Sequence, residues 1–323
     1  MFPMTKKKTI DYNYASAVTK YLLAHTEFLI LTHRNPDGDT MGSAAALCSA
    51  LRRSGKTAYL YPNKQATEKI RRYTEAFFAD EKYAVSCVIS VDVASQDMLA
   101  EGFSGMVDCC IDHHPTNSGF GTVNLICPEK SACGEIVLTI IENMHRGLTK
   151  EEANLLYIAV STDTGCFQYA NTDAATHTAV SKLLRYGADN TALNLIFFRT
   201  VSKARVLLEG KILSSLFFHR DGSVVIAIIT QDMLRDCGAT EEDCDDLASL
   251  PGRIDGTVVG ITIREKENGF SKVSVRTSAS VSAIEICNYF GGGGHPMAAG
   301  CTIESNPQKA RELILAVVDE VYS

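Results

Sequence analysis

The sequence predicts an α/β protein: an N-terminal domain built on a doubly wound parallel sheet, followed by a smaller α/β C-terminal domain. Three observations carry this. Short apolar runs alternate with helix-patterned segments between residues 28 and 113, the pattern of a parallel sheet. Acidic and imidazole side chains fall at the carboxyl ends of those runs, where open α/β sheets bind ligands. Past about residue 215 the pattern changes to closely spaced strand-like runs and a closing helix. At 323 residues and 46% hydrophobic content, the chain can bury a sizeable core and fits two domains better than one.

Taken in order, residues 10–26 have helical spacing through Tyr14, Ala17, Val18, Tyr21 and Leu22. Phe28 to His33 is a short apolar run, read as a buried strand, and His33 to Asp39 is a loop broken by Pro36 and Gly38. Met41 to Arg53 is composed of small helix-forming residues and is closed by Ser54-Gly55. Strand-like runs recur at Thr57–Tyr61, Cys87–Val93 and Cys109–His113, with helix-like segments expected between them. Residues 131–160 and 173–212 are helical in pattern, separated by the turn-rich loop Ser161–Phe167. Val224–Thr230, Thr257–Arg264 and Lys272–Ser278 read as strands, with a helix near 281–290. Gly291-Gly-Gly-Gly-His295 interrupts before a final helix over roughly 306–322, and the linker is placed at 189–214.

Composition narrows the functions. The net charge is −7, and the one obvious basic run is Lys6 to Lys8. Binders of long nucleic acid usually show a basic stripe, because phosphate contacts supply most of their affinity; such a role is disfavoured. A small anionic substrate held by metals and a few cations is compatible with this balance. No run of about 18 apolar residues is present, so no membrane span is expected. The N-terminus lacks the apolar core of a signal peptide. The eleven cysteines form no CxxC pair and several sit in apolar runs, so buried free thiols in a reducing cytoplasm are expected.

The chemistry-bearing residues are His33, Asp37 and Asp39 in the first loop, Asp92 at the end of Val-Ile-Ser-Val-Asp, Asp112-His113-His114 at another strand end, and Asp163 in Thr-Asp-Thr-Gly. Each has an ordinary reading. Asp-Gly-Asp makes turns, Asp92 could cap a helix, and Asp163 could be a turn former. Jointly those readings are poor. A carboxylate and two imidazoles at a buried strand end are costly without partners, and so many carboxylates in one cleft would repel unless divalent ions relieved them. Imidazole and carboxylate together suit manganese, iron or cobalt.

These segments resemble the motifs of the DHH phosphoesterase family over almost the whole chain. His33-Arg-Asn-Pro-Asp37-Gly-Asp39-Thr-Met-Gly-Ser43 resembles the first motif and Asp92 in Val-Asp-Val-Ala-Ser the second. Asp112-His113-His114-Pro-Thr-Asn117 matches the namesake motif, and Thr162-Asp163-Thr-Gly-Cys-Phe167 is similar to the fourth. Val275-Arg276-Thr277-Ser278 and Gly291-Gly-Gly-Gly-His295-Pro-Met-Ala-Ala-Gly300 resemble the DHH-associated C-terminal domain. Arg34-Asn35 before Pro36 is a mild departure that alters no ligand position.

The resemblance implies two divalent ions, most often manganese. His33 and Asp37 would hold one; Asp39, His113 and Asp163 the other; Asp92 would bridge them. Asp112 and His114 would act beside the ions, His114 stabilising charge on the phosphoryl oxygens. A catalytic domain over 1–188, a helical linker over 189–214 and a substrate-binding domain over 215–323 are expected. The consecutive glycines, Gly293 and Gly294 among them, would let backbone N–H groups approach an anion, and His295 and Arg276 would grip a terminal phosphate or a base. Tyr157, Phe167 and Tyr169 could stack a base, although core packing is the ordinary role of most of them.

RecJ-like exonucleases carry extra nucleic-acid-binding domains, membrane-bound cyclic-dinucleotide phosphodiesterases carry spanning helices, and family II pyrophosphatases lack the glycine-histidine signature. The stand-alone nanoRNase and 3′-phosphoadenosine 5′-phosphate phosphatase group remains. The expected activity is manganese-dependent hydrolysis of very short oligoribonucleotides and linear dinucleotides, together with removal of that 3′-phosphate. The alternatives are a cyclic or linear di-AMP phosphodiesterase, a dedicated phosphatase of the adenosine bisphosphate, or a non-catalytic nucleotide sensor. Expected partners are a short nucleotide substrate and neither long nucleic acid nor membrane; a homodimer stands as a working assumption.

Overall fold

The computed structural model describes residues 10–11, 15–79, 84–244, 247–278 and 280–322. The Lys6–Lys8 run and Tyr14 lie outside them. The chain divides into two compact units, one reaching Thr200 and the other beginning at Val201.

The first unit is built on a parallel six-stranded sheet, with strands β1 (Ile10–Asp11), β2 (Glu27–Leu31), β3 (Thr57–Leu60), β4 (Cys87–Val91), β5 (Cys109–Asp112) and β6 (Val123–Ile126). Their order is β1-β6-β5-β4-β2-β3, and every neighbouring pair is parallel. The chain leaves β2 toward β3 on one side and returns to β4 on the other. The carboxyl ends of β2 and β4 therefore flank the switch point at which such sheets bind ligands. Helix α1 (Ala15–Leu23) precedes β2, α2 (Gly38–Arg53) follows it, and α3 (Glu68–Thr74) follows β3. Beyond the sheet come α4 (Cys133–Met144), α5 (Lys150–Asp163), α6 (Ala174–Arg185) and α7 (Asn190–Asn194), the last running into a π-turn over Leu195–Arg199.

Several sequence expectations need correction. The predicted first helix begins only at Ala15, because Ile10–Asp11 pair with β6 instead. The β4–β5 connection holds a single 3₁₀ turn, Gln96–Met98, where a helix was expected; Gly102 and Gly105 and the lack of apolar periodicity leave it irregular. Strand β6 was not foreseen, being only four residues long. Helix α5 runs on to Asp163, absorbing the start of the loop expected at 161–167.

Glycines set the packing of the helices that carry the site. A Cβ on Gly42 would lie 2.5 Å from the Leu155 carbonyl oxygen, and one on Gly38 would lie 2.3 Å from Thr162 Oγ1. Helix α2 can therefore press its N-terminal turns against the C-terminal half of α5.

The second unit opens with α8 (Lys203–Ser214), whose Leu208 and Ile212 pack with Ala227, Ile229 and Leu234. Its sheet comprises β7 (Phe217–His219), β8 (Val224–Ile229), β9 (Val259–Glu265), β10 (Ser271–Thr277), β11 (Gly293–His295) and β12 (Ala298–Ile303), in the order β11-β12-β10-β9-β8-β7. Only β8 and β9 are parallel neighbours. Helices α9 (Gln231–Cys237), α10 (Ala283–Asn288) and α11 (Pro307–Val321) complete it. All eleven cysteines are free and nine are buried, so the thiols serve as core volume.

Candidate metal centre

Three strand ends and three helix ends of the first unit meet at one point. His33 lies just past β2, in a turn braced by the buried Asn63, whose Nδ2 donates to Thr32 Oγ1 (3.0 Å) and to the His33 carbonyl (2.9 Å). Asp37 caps α2, its Oδ1 accepting from the Thr40 N–H at 3.0 Å. Asp39 therefore sits in the first turn of α2, not in a loop. Thr40 Oγ1 in turn donates to the Val91 carbonyl at 2.8 Å, tying that turn to the residue before Asp92.

Asp92 is held at φ 58°, a left-handed conformation rare for a non-glycine residue. It caps no helix: the 3₁₀ turn that follows, Gln96–Met98, has Ser95 at its N-cap position. Its carboxylate is buried, and Oδ1 has no hydrogen-bond partner. Leaving a buried acceptor unpaired costs about 1–3 kcal/mol, more when it is charged. The nearest donors are imidazole nitrogens, His113 Nε2 at 3.4 Å and His114 Nδ1 at 3.6 Å, and a bound cation would offset that cost more fully.

The surrounding donors form three triplets of possible ligands; one, Asp92, His113 and His114, overlaps the other two. His33, Asp37 and Asp92 offer one group of ligand atoms, and Asp39, His113 and Asp163 another. Asp92 Oδ2 lies 3.8 Å from His33 Nε2, and Oδ1 lies 3.4 Å from His113 Nε2. One carboxylate thus faces both of those groups. His113 Nε2 is 3.8 Å from Asp39 Oδ2 and 3.7 Å from Asp163 Oδ2.

The orientation of each donor has a cause. His113 Nδ1–H donates to the Lys130 carbonyl at 3.1 Å, which aims Nε2 into the cluster. Asp39 is held by the N-terminus of α4, accepting from the N–H groups of Cys133 (2.6 Å) and Gly134 (2.9 Å), and also from Ser43 Oγ (2.9 Å). Asp163 closes α5, and its carbonyl accepts from Asn171 Nδ2 at 3.1 Å.

Asp112 is differently placed. Its Oδ1 accepts from the His113 N–H and from His114 Nδ1, both at 2.8 Å, while Oδ2 accepts from Asn117 Nδ2 at 2.7 Å. Both oxygens are committed, so Asp112 orients His114 rather than joining the triplets. His114 is 40% exposed, and its Nε2 is left for a ligand.

Electrostatics describe a cluster that wants cations. Burial, reinforced by the Asp92 and Asp163 charges, pushes Asp39 well above the usual carboxylate range. Burial likewise raises Asp92, and it lifts Asp163 to about 6. Burial opposes the charged ring of His113, yet the Asp92 and Asp39 carboxylates outweigh it and push that imidazole up to about 10. Each of these shifts favours the protonated form, an effect that a bound cation would reverse. Nitrogen and carboxylate donors, mutual repulsion and an orphaned oxygen together fit a pair of divalent ions.

In the second unit, Arg276 on β10 and His295 on β11 both pair with Ala298 of β12. Directly opposed residues project to the same face, so the guanidinium and the imidazole flank a small alanine, two strand spacings or roughly 10 Å apart. The glycine run is not a free loop. The N–H groups of Gly291 and Gly292 donate to the Asn288 and Cys287 carbonyls, and Gly293 and Gly294 lie exposed in the edge strand. A Cβ on Gly294 would meet the Ala298 oxygen at 2.5 Å, so close strand approach itself requires glycine there.

Of the three aromatic residues near the fourth motif, Tyr157 is buried and donates to Asn194. Phe167 packs between Tyr157 and His177. Tyr169 is exposed. Sequence reasoning gave no role to Asn63, Lys130, Asn171 or the α4 N-terminus. Two of these act through backbone atoms, which carry no side-chain signal; Asn117 stood within the namesake motif without a function.

Comparisons agree with this geometry. Residues 27–160 match the model of the DHH family, N-terminal domain, and residues 221–323 that of the DHHA1 domain. A bifunctional oligoribonuclease and PAP phosphatase, NrnA, of Thermus thermophilus is 33% identical over 305 residues, covering 90% of this chain and 89% of the relative. The protein of the same description from Bacillus subtilis is 26% identical over 285 residues, covering 85% and 90%. Among solved structures, an exopolyphosphatase-related protein from Bacteroides fragilis superposes with a TM-score of 0.85 at 22% identity, covering 97% of each chain, a likeness of fold.

Proposed function

The chain belongs to the DHH family, and from that premise we propose that it is a phosphoesterase that hydrolyses very short oligoribonucleotides and linear dinucleotides and removes the 3′-phosphate of 3′-phosphoadenosine 5′-phosphate. The observation that carries the proposal is Asp92, whose two carboxylate oxygens face His33 on one side and His113 on the other while Oδ1, though buried, accepts no hydrogen bond. Enzymes of this family use divalent ions, and manganese is the ion we assign. Bound there, two ions would supply Lewis acidity toward water and the phosphoryl oxygens.

The protein's own share is positional. His33, Asp37 and Asp92 would hold one ion, and Asp39, His113, Asp163 and Asp92 the other. His114, fixed by Asp112 through Nδ1, presents Nε2 as a donor to a phosphoryl or leaving-group oxygen. Arg276 and His295 are assigned to a terminal phosphate or base of the substrate, by charge-assisted hydrogen bonds. The negative balance of the chain favours substrates of a few nucleotides over long strands.

A substrate panel tests this reading: the adenosine bisphosphate, linear and cyclic dinucleotides, and RNA of increasing length, with manganese and magnesium compared. The expected outcome is turnover of the bisphosphate and linear dinucleotides and a rate that falls with length. Faster cleavage of long RNA than of a dinucleotide would refute the size preference. No turnover of any of them with either metal would refute the enzyme.

A further inference from the structure

Immediately after Asp163 the backbone enters an unusual turn. Gly165, Cys166 and Phe167 have φ of 55°, 56° and 67°, three consecutive left-handed residues. Two of them are not glycine, at a cost of roughly 1–2 kcal/mol each. Local bonds hold the turn: the Cys166 N–H donates to the Ser161 carbonyl at 2.7 Å, and the N–H groups of Gln168 and Tyr169 both donate to the Thr164 carbonyl. Phe167 anchors it to Tyr157 and His177.

The product of this turn is the placement of Tyr169. A Cβ built on Gly165 would fall 2.4 Å from Tyr169 Cε1 and Cζ, so the phenol ring lies directly over the glycine. Only glycine permits that seat. Tyr169 is nevertheless 59% exposed. An aromatic ring wedged on one side and open on the other, six residues beyond a candidate ligand, is a poor use of apolar area for stability. It is a good platform for a flat ring.

We propose that Tyr169 is a specificity-determining residue that stacks on the base of the nucleoside next to the phosphate under attack. The inference rests on the phosphoesterase reading. It explains why strained backbone is kept beside Asp163: the turn rigidifies the platform, so that stacking orders no flexible side chain. Stacking on a π-face tolerates any base, which suits an enzyme of short RNA without sequence preference.

Two readouts test it on the full-length, manganese-loaded chain. The first is the ratio of kcat/KM for a linear dinucleotide to that for the same phosphodiester lacking its bases. In Tyr169→Ala and Tyr169→Leu the ratio should fall about 5- to 150-fold, chiefly through KM, the loss expected for one stacked base. In Tyr169→Phe it should be retained. The second is direct binding. The chain contains no tryptophan, so Tyr169→Trp places a single indole at the site. Its fluorescence should be quenched saturably by adenosine monophosphate and not by ribose 5-phosphate. An unchanged ratio in Tyr169→Ala and Tyr169→Leu, or equal quenching by both ligands, would overturn the platform while leaving hydrolysis intact. A wild-type protein that cleaves neither substrate overturns the phosphoesterase reading, and the platform with it.

Discussion

Replacing Asp92 by asparagine separates a metal ligand from a structural aspartate, because the two roles predict opposite signs of stability. Asparagine tolerates the left-handed φ of 58° at this position, so the backbone is kept. It removes one of the clustered carboxylates and the charge, though not the polarity, of a buried Oδ1 that accepts no hydrogen bond, a gain of at most about 1–3 kcal/mol. The attraction to His113 and His33 is lost at the same time, so the net gain in the metal-free protein is smaller, between zero and about 2 kcal/mol. At about 2–4 °C per kcal/mol for a unit of this size, the metal-free Tm should be unchanged or raised by up to about 8 °C. With ions the order reverses. One site filled at 100 times its Kd stabilises the wild type by about 2.7 kcal/mol, or about 5–11 °C, and the variant should lose most of that shift. Scanning calorimetry of both proteins, with chelator and with manganese, reads all four values; kcat should fall at least about 100-fold. A variant destabilised by more than about 3 kcal/mol without metal, or one whose Tm still rises with manganese as in the wild type, would refute the reasoning.

Other expectations follow from the same structure. Gly42→Ala places a methyl against backbone atoms of Leu155 and Ala159, forcing α5 and Asp163 away from α2; overpacking of about 1–3 kcal/mol should lower Tm by about 2–12 °C and weaken manganese binding, both measurable in one thermal-shift titration. Manganese binding should release protons at pH 7, since His113 is raised to about 10 in the free cluster and must lose its proton to offer Nε2; Asp163, at about 6, adds to the release only at lower pH. Deprotonation favours the ions, so affinity should rise with pH, and fall further as pH drops below about 6 and Asp163 also takes up a proton; calorimetry in buffers of different ionisation enthalpy counts the protons, and a count of zero would contradict the cluster. Asn117→Ala frees Asp112 Oδ2 and loosens the hold on His114; kcat should fall about 10- to 100-fold with two ions still bound, as when partners that orient a site histidine are removed. Arg276→Ala and His295→Ala should each lower kcat/KM for the bisphosphate about 10- to 150-fold, the value of a charge-assisted bond, with metal content unchanged.

The parallel sheet was legible because its strands are buried on both faces and read as short apolar runs, Phe28–Leu31 and Cys109–Ile111 being the clearest. The site was legible for a related reason: each ligand-bearing segment adjoins such a run, so polar residues stand out against apolar sequence. What the sequence hid was of two kinds. Short elements such as β6 and β11 are specified by pairing rather than composition, and glycine-rich sequence gave no sign that Gly293 and Gly294 join a strand. Backbone partners were equally silent. Nothing in the residue type of Lys130 announces that its carbonyl fixes the tautomer of His113, and nothing in Cys133-Gly134 announces that their N–H groups hold Asp39. Asp92 illustrates the limit of local reasoning: helix capping was the ordinary expectation, and the left-handed turn with no helix behind it removes that role.

Everything turns on whether the two ligand groups hold two ions through a shared Asp92. Anomalous diffraction from crystals grown with manganese, recorded at the metal edge, reads this directly. Two peaks are expected roughly 3.5–4 Å apart, one beside His33 and Asp37 and the other beside Asp39, His113 and Asp163, with Asp92 touching both. No peak at this cluster, or ions held elsewhere in the chain, would contradict it.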